Sequence, residues 1–304
     1  MDREATPSPT EALTGVVPPP GTRGRRTRRW TSAWRAFAKD RSSVVALVFL
    51  LLVVLASIIA PYISPHDPYE AVAARNTPPL TEGLWLGADG DGRDVLSRLL
   101  WGGRASLVAG ILPTVLATIA SLVLGILAGY KGGLLDHIVM RILDIFFAFP
   151  LVLVAVVIAG ILTPGFVTVT VAIFIALVPY ISRLARVTTQ SVKTEPYVEA
   201  ARAGGAREAA IIFRYVLPNM VAPVVVYATT LIGMMMVLAS ALSFLGLGVQ
   251  PPTSDWGSML SSSRQYINVA PHVAALPGLA IFLAVLGFNL LGDGLRDALD
   301  PRLR

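Results

Sequence analysis

The sequence predicts an all-α membrane protein with six transmembrane helices. Three observations lead there. Of 304 residues, 54% are hydrophobic and only 14% are charged, against about 25% charged in an average soluble domain. The mean hydropathy is +0.67. Six segments come close to or exceed the roughly 20 mainly apolar residues that a helix needs to cross the hydrocarbon.

Residues 1–30 are rich in Pro, Thr, Gly and Arg, with Pro18, Pro19 and Pro20 in a row. Such a composition offers too little apolar surface to fold and reads as a disordered tail. Residues 31–42 contain Trp34, Phe37 and basic residues and suit a short interfacial helix. The first span is Val44 to Ile63, uncharged throughout. A cleaved signal has an apolar core of about 7–15 residues, so this run reads as a retained helix. The second span is Ala105 to Tyr130. The third is Arg141 to Leu162, with Asp144 near one end. The fourth, Phe166 to Ile181, is short, follows the turn residues Thr163, Pro164 and Gly165, and contains Pro179. The uncharged run from Tyr215 to Ser254 spans 40 residues, about twice one crossing. The fifth span lies within Leu217 to Val249, closed by Gly246, Gly248, Pro251 and Pro252. The sixth is Val273 to Leu291.

Basic residues orient the bundle, because they accumulate on the cytoplasmic side. With the N-terminus inside, 20 of the 25 basic residues fall on inner segments and 5 on outer ones. Both termini are therefore expected in the cytoplasm. The arginines from Arg23 to Arg29 adjoin an apolar 20-mer, so a membrane-orienting role fits them better than nucleic acid. The organisation is a tail (1–30), an N-terminal region (31–104) with the first span (44–63) and an external loop, a transmembrane domain (105–293) with an inner loop (182–216), and a C-terminal tail (294–304).

Few residues carry covalent chemistry. There are no cysteines, and His66, His137 and His272 lie in separate segments. No phosphate-binding G-x-x-x-x-G-K-[ST] run occurs, nor H-E-x-x-H or G-x-S-x-G. No metal site and no catalytic residue are expected. Asp89-Gly90-Asp91-Gly92 lacks the later ligands of a calcium loop, so residues 64–104 read as a solvated, partly folded external loop. Within it, Asp94 to Trp101 suits an amphipathic helix lying in the outer interface. Arg141 and Asp144 have helical spacing for a pair. Gly125 and Gly129 are a small-xxx-small pair suited to helix packing. Met234, Met235 and Met236 point in three directions. Packing is their default role, and at most part of the run faces a pore.

The inner loop holds two helical pieces. Pro196 suits a first helical turn, Thr194 or Glu195 can cap it, and Gly204-Gly205 ends it. A second piece runs to Pro218, with Ala209, Ile212, Phe213 and Val216 as its apolar set. By spacing alone this is an ordinary loop or a partner-docking element. The order Glu199-Ala200-Ala201, Gly205, Leu217-Pro218 resembles the EAA loop of ABC importer permeases. Tyr215 stands where that pattern favours Ile. Gly92-Arg93-Asp94-Val95-Leu96-Ser97-Arg98 is similar to a signature of the dipeptide/oligopeptide permease C-type subunits. So are Leu242 to Gly248 with Trp256-Gly257, and Asn289 to Asp297. The resemblance covers residues 33–304. Ala239 departs from it, since relatives often carry Glu there.

This resemblance implies a type I ABC importer permease fold in the bacterial cytoplasmic membrane, and transport by alternating access. Glu199, Ala200, Ala201, Gly205, Leu217 and Pro218 would couple to the ATPases. The implied partners are a homologous second permease, two cytoplasmic ATPase domains, an external solute-binding protein and the lipid bilayer, with no nucleic acid. ATP and Mg would be bound by the ATPases and no cofactor by this chain. The implied cargo is dipeptides or oligopeptides, with glutathione or nickel chelates as alternatives. The different class is an ion-coupled secondary transporter or channel, which needs ionisable residues at mid-membrane.

Overall fold

The computed structural model describes residues 37–81 and 83–299. The tail (1–30), residues 31–36 of the expected interfacial helix, and residues 300–304 lie outside them. Among the described residues the chain is helical, and its extended pairing is confined to isolated bridges.

Five helices among the described residues are long and apolar enough to cross a membrane. They are α1 (Arg41–Ile58), α3 (Val95–Lys131), α6 (Phe166–Lys193), α9 (Leu217–Phe244, with a helical lead-in from Glu208) and α11 (Pro271–Leu299). The expected third span is not one straight helix. It is α4 (Gly133–Phe147) followed by α5 (Leu151–Ile161), bent by 86°. Pro150 explains the bend. It has no N–H to donate to Phe146, and it pushes Phe149 away from helical geometry. Pro150 itself is extended (φ −55°, ψ 133°). Together α4 and α5 still join one end of the bundle to the other, so counting the pair as one crossing gives six.

The ends can be called the base and the cap. At the base, Gly132 separates α3 from α4, and residues 194–216 join α6 to α9. At the cap lie residues 64–81 and 83–94, the turn at 162–165, and residues 245–270. The last of these include α10 (Trp256–Ser263). The short α2 (Ala60–Ile63) follows α1 after a break at Ile59, next to Pro61.

α6 is the hub. Some 61% of its most apolar window is buried, against 22% for α1. Its main partner is α3, which it approaches through small residues. A Cβ on Gly125 would stand 2.8 Å from the backbone of Ala185, and one on Gly129 would stand 2.7 Å from the Arg186 carbonyl. The expected packing role of the glycine pair is therefore the observed one. Ser121 reinforces the contact, donating to the Val178 carbonyl (3.1 Å) and accepting from Ser182 (3.0 Å).

α6 also runs three turns beyond the expected Ile181, as far as Lys193. Arg183 and Arg186 ended the apolar run without ending the helix, because both find acids on α4. Arg186 makes a two-pronged contact with Asp136 (Nη2–Oδ2 2.5 Å), and Arg183 reaches Asp144 (2.7 Å). Asp144 thus pairs across helices with Arg183 and not locally with Arg141. The inner loop shortens accordingly.

The cap differs most from expectation. Asp94 to Trp101 is no separate interfacial helix. It forms the first turns of α3, and Asp94, Val95, Ser97 and Arg98 are buried. Nor is the preceding loop simply solvated. Asp94 caps α3, accepting from Leu96 N–H (3.2 Å), Ser97 N–H (3.3 Å) and Ser97 Oγ (2.6 Å). Asp89 accepts from the Asp91 and Arg93 amides (2.9 and 3.0 Å) and faces Arg98 Nε at 3.4 Å. The acids are consumed by amides and arginines a few residues away, which lets the loop fold. Residues 254–256 lock onto the same turns. Ser254 Oγ donates to the Arg98 carbonyl (3.1 Å), Trp256 N–H donates to Ser106 Oγ (2.9 Å), and Trp256 Nε1 donates to the Leu99 carbonyl (2.9 Å).

Candidate functional site

The base segment carries the candidate site. α7 (Pro196–Ala203) follows Glu195, and neither Glu195 nor Thr194 caps it with a side chain. Thr194 Oγ1 instead donates back to the Ser191 carbonyl (3.0 Å). Pro at the first position removes one of the amides that would need a cap. The far end is closed by backbone bonds. Gly205 N–H donates to the Arg202 carbonyl (3.0 Å), and Ala206 N–H donates to the Ala201 carbonyl (3.1 Å). This is the Schellman arrangement, which places a left-handed residue just past the cap. Gly205 is that residue, with φ +79°. The spacing from Glu199-Ala200-Ala201 to Gly205 therefore has a backbone cause.

The second piece differs from the short helix expected. α8 (Glu208–Ile211) runs through a π turn (Ile212–Val216) directly into α9. Pro218 lacks the N–H that would bond Arg214, and the wider turn relieves the ring clash there. Leu217 N–H bonds the Ile212 carbonyl, five residues back. Leu217 and Pro218 are half-buried at the first turn of α9.

The segment has two faces. Val198, Ile211 and Val216 are fully buried and join the core formed by α3, α6 and α9. Tyr215 packs against the same core and meets Tyr197 of α7, with ring centroids 6.3 Å apart. Glu199, Ala200, Ala203, Gly204 and Gly205 are exposed, and Ala201 is half-buried. So Glu199, Ala200 and Gly205 are exposed at the outer edge of this segment, with Ala201 at its margin and a firm apolar seat beneath. A surface of small side chains allows another backbone to approach closely.

One polar contact ties this segment to the bundle and two more brace it, none of them singled out by the sequence. The Tyr130 hydroxyl at the end of α3 donates to the Glu208 carboxylate. Arg202 Nε lies 3.7 Å from the same carboxylate. Lys193 Nζ at the end of α6 donates to the Tyr130 carbonyl (2.5 Å). Tyr130 and Glu208 are 78 positions apart, so no local spacing signals them.

The methionines divide as their successive positions require. Met235 and Met236 are buried within the subunit, and Met234 is 49% exposed. Ala239 is buried and lines a small cap-end pocket with Ser106, Ser240, Ser243 and Asp255. Burial pushes the Asp255 carboxyl above the usual carboxylate range, against the Ser258 amide that it accepts from at 2.8 Å. No cluster of three or more His, Cys, Asp or Glu suited to a metal occurs among the described residues.

Comparison with known proteins agrees with this architecture. Residues 121–304 match the family described as "Binding-protein-dependent transport system inner membrane component". The chain belongs to this family of ABC importer permeases. Residues 28–79 of the permease match the "N-terminal TM domain of oligopeptide transport permease C". The permease is 45% identical over 277 residues to the glutathione transport system permease protein GsiD of Pectobacterium atrosepticum, covering 90% of this chain and 92% of the relative. It is 43% identical over 277 residues to the di/tripeptide transport system permease protein DppC of Pseudomonas aeruginosa, covering 89% and 91%. In fold it resembles a chain of the inward-facing MetNI methionine ABC transporter, at TM-score 0.55 and 19% identity, covering 66% of this chain and 96% of that one. The permease is thus an inner-membrane component of a bacterial transport system.

Proposed function

We propose that this chain is one of two homologous pore subunits of an ATP-driven importer of short peptides, driven through Glu199–Pro218. The observation that carries this reading is the outward face of α7 and the Gly204-Gly205 corner, held on the ends of α3, α6 and α9 by buried Val198, Ile211 and Val216. A partner pressing on that face moves spanning helices. Two ATPase domains would dock there, bind ATP and Mg, and supply the hydrolysis, so the chain needs no catalytic residue or cofactor of its own. An external solute-binding protein would deliver cargo at the cap. ATP-driven closure of the ATPase pair then switches the pore by rigid-body movement. Met234, exposed on α9, is the methionine free to face that pore.

We place the base and both termini in the cytoplasm, since with the N-terminus inside 20 of the 25 basic residues belong to inner segments of the sequence. A reporter enzyme fused after Arg304 should be active in its cytoplasmic form, and external activity would reverse the topology.

Short peptides are the cargo that the relatives favour. One relative is a glutathione system and another a di/tripeptide system, and glutathione is itself a γ-linked tripeptide. Cells lacking the gene should lose uptake of a labelled dipeptide or of glutathione. Retention of both uptakes would remove the peptide reading. No observation favours nickel chelates. An ion-coupled carrier is not favoured either, since Asp144 is already paired with Arg183.

A further inference from the structure

We infer that the Tyr130 hydroxyl is a positioning contact that carries movement of the coupling segment into the α3–α6 pair. The inference rests on reading α7 and the Gly204-Gly205 corner as the ATPase dock.

Tyr130 sits in the last turn of α3 and is 7% exposed. Its hydroxyl donates to Glu208, the first residue of α8. Arg202, near the end of α7, faces the same carboxylate at 3.7 Å. The backbone carbonyl of Tyr130 accepts from Lys193, whose Nζ also lies 5.4 Å from the ring centroid. One residue of α3 therefore meets α6 and α8, and reaches α7 both through Glu208 and through Arg202, which also faces its hydroxyl.

The apolar attachment of the segment differs in kind. The apolar seat of Val198, Ile211 and Val216 is non-directional, so it resists lifting more than sliding. The Gly204-Gly205 corner adds no lateral support, because a Cβ on Gly205 would meet nothing within 4 Å. A hydrogen bond to a carboxylate is directional and strong. At its far end the tie meets a body that cannot shear easily, since α3 and α6 touch backbone to backbone at Gly125 and Gly129. A push on α7 then moves α3 and α6 together. Without the hydroxyl, the segment stays seated and joined to α6 and α9, while its movement passes less directly to α3.

The test uses the complex purified with its ATPase subunits and reconstituted in liposomes. Tyr130→Phe removes one oxygen and keeps the ring and the Lys193 contact. Glu208→Ala removes the tie from its other end. Glu208→Gln keeps an acceptor for the hydroxyl and discards the charge facing Arg202. All three should retain ATPase subunits in wild-type proportion and melt with the wild-type complex. Cargo moved per ATP should fall about five-fold or more in Tyr130→Phe and Glu208→Ala, and less than about two-fold in Glu208→Gln. A wild-type ratio in Tyr130→Phe would overturn the inference. So would loss of the ATPases from Tyr130→Phe, because the tyrosine would then build the dock and not transmit from it. If the wild-type chain itself retains no ATPase, the docking reading fails, and this inference with it.

Discussion

Gly125→Leu should prevent α3 and α6 from closing on each other. An added Cβ alone would stand 2.8 Å from the Ala185 carbonyl carbon and 2.9 Å from the Arg186 amide nitrogen. Both are backbone atoms, so no side chain can swing away. The helices must separate, and the Ser121–Ser182 hydrogen bond at 3.0 Å opens with them. In a membrane, helix association depends on van der Waals fit more than on expulsion of water. Overpacking of this kind costs about 1–3 kcal/mol, a fall of roughly 2–10 °C in melting temperature. The measurement is thermal unfolding of the purified chain in detergent. Gly160→Leu is the control, since a Cβ at Gly160 meets nothing within 4 Å. Equal melting of the two variants would contradict the packing account.

Gly205→Trp should lower ATP-driven uptake about ten-fold or more while leaving the chain in the membrane. Two effects combine. The residue has φ +79°, and a non-glycine residue in the left-handed region costs about 1–2 kcal/mol. The indole also projects from the outward corner, where the partner is proposed to sit. Neither effect touches the buried seat of Val198, Ile211 and Val216, so insertion and folding persist. Gly205→Asn separates the two effects, because Asn tolerates the left-handed region and is smaller. It should keep more than about half of the uptake. The readouts are uptake by whole cells and the amount of chain in membranes. Wild-type uptake by Gly205→Trp would remove the corner from the coupling route.

Much of this was legible in one dimension, for identifiable reasons. The uncharged runs behind α1, α9 and α11 reach or exceed membrane length. Gly205 and Gly246 were expected to end helices, and both do so with positive φ, at +79° and +81°. Leu247 N–H bonds the Leu242 carbonyl (2.9 Å) and Gly246 N–H bonds the Ser243 carbonyl (3.0 Å), the same closure as at Gly205. The Glu199-Ala200-Ala201 to Gly205 spacing was legible because a helix end imposes it locally.

What escaped depended on partners or backbone geometry that composition does not display. Arg183 and Arg186 looked like the start of a loop because hydropathy cannot see Asp144 and Asp136 on another helix. Asp89 and Asp94 looked solvated because acids usually are, yet backbone amides and Arg98 bury them. Pro150 lay inside a continuous apolar run, and its effect on Phe146 and Phe149 is geometric, not compositional. Tyr130 had no signal at all, since its partner Glu208 comes from a different element.

The central claim is that this pore is driven by a separate ATPase through the segment between α6 and α9. The most direct measurement is reconstitution of the captured chain, together with whatever co-purifies, into liposomes with its binding protein outside. The account predicts that ATP-hydrolysing subunits accompany the chain and that a labelled dipeptide accumulates only when they can hydrolyse ATP. Accumulation by the chain alone, with no ATPase and no ATP, would contradict it.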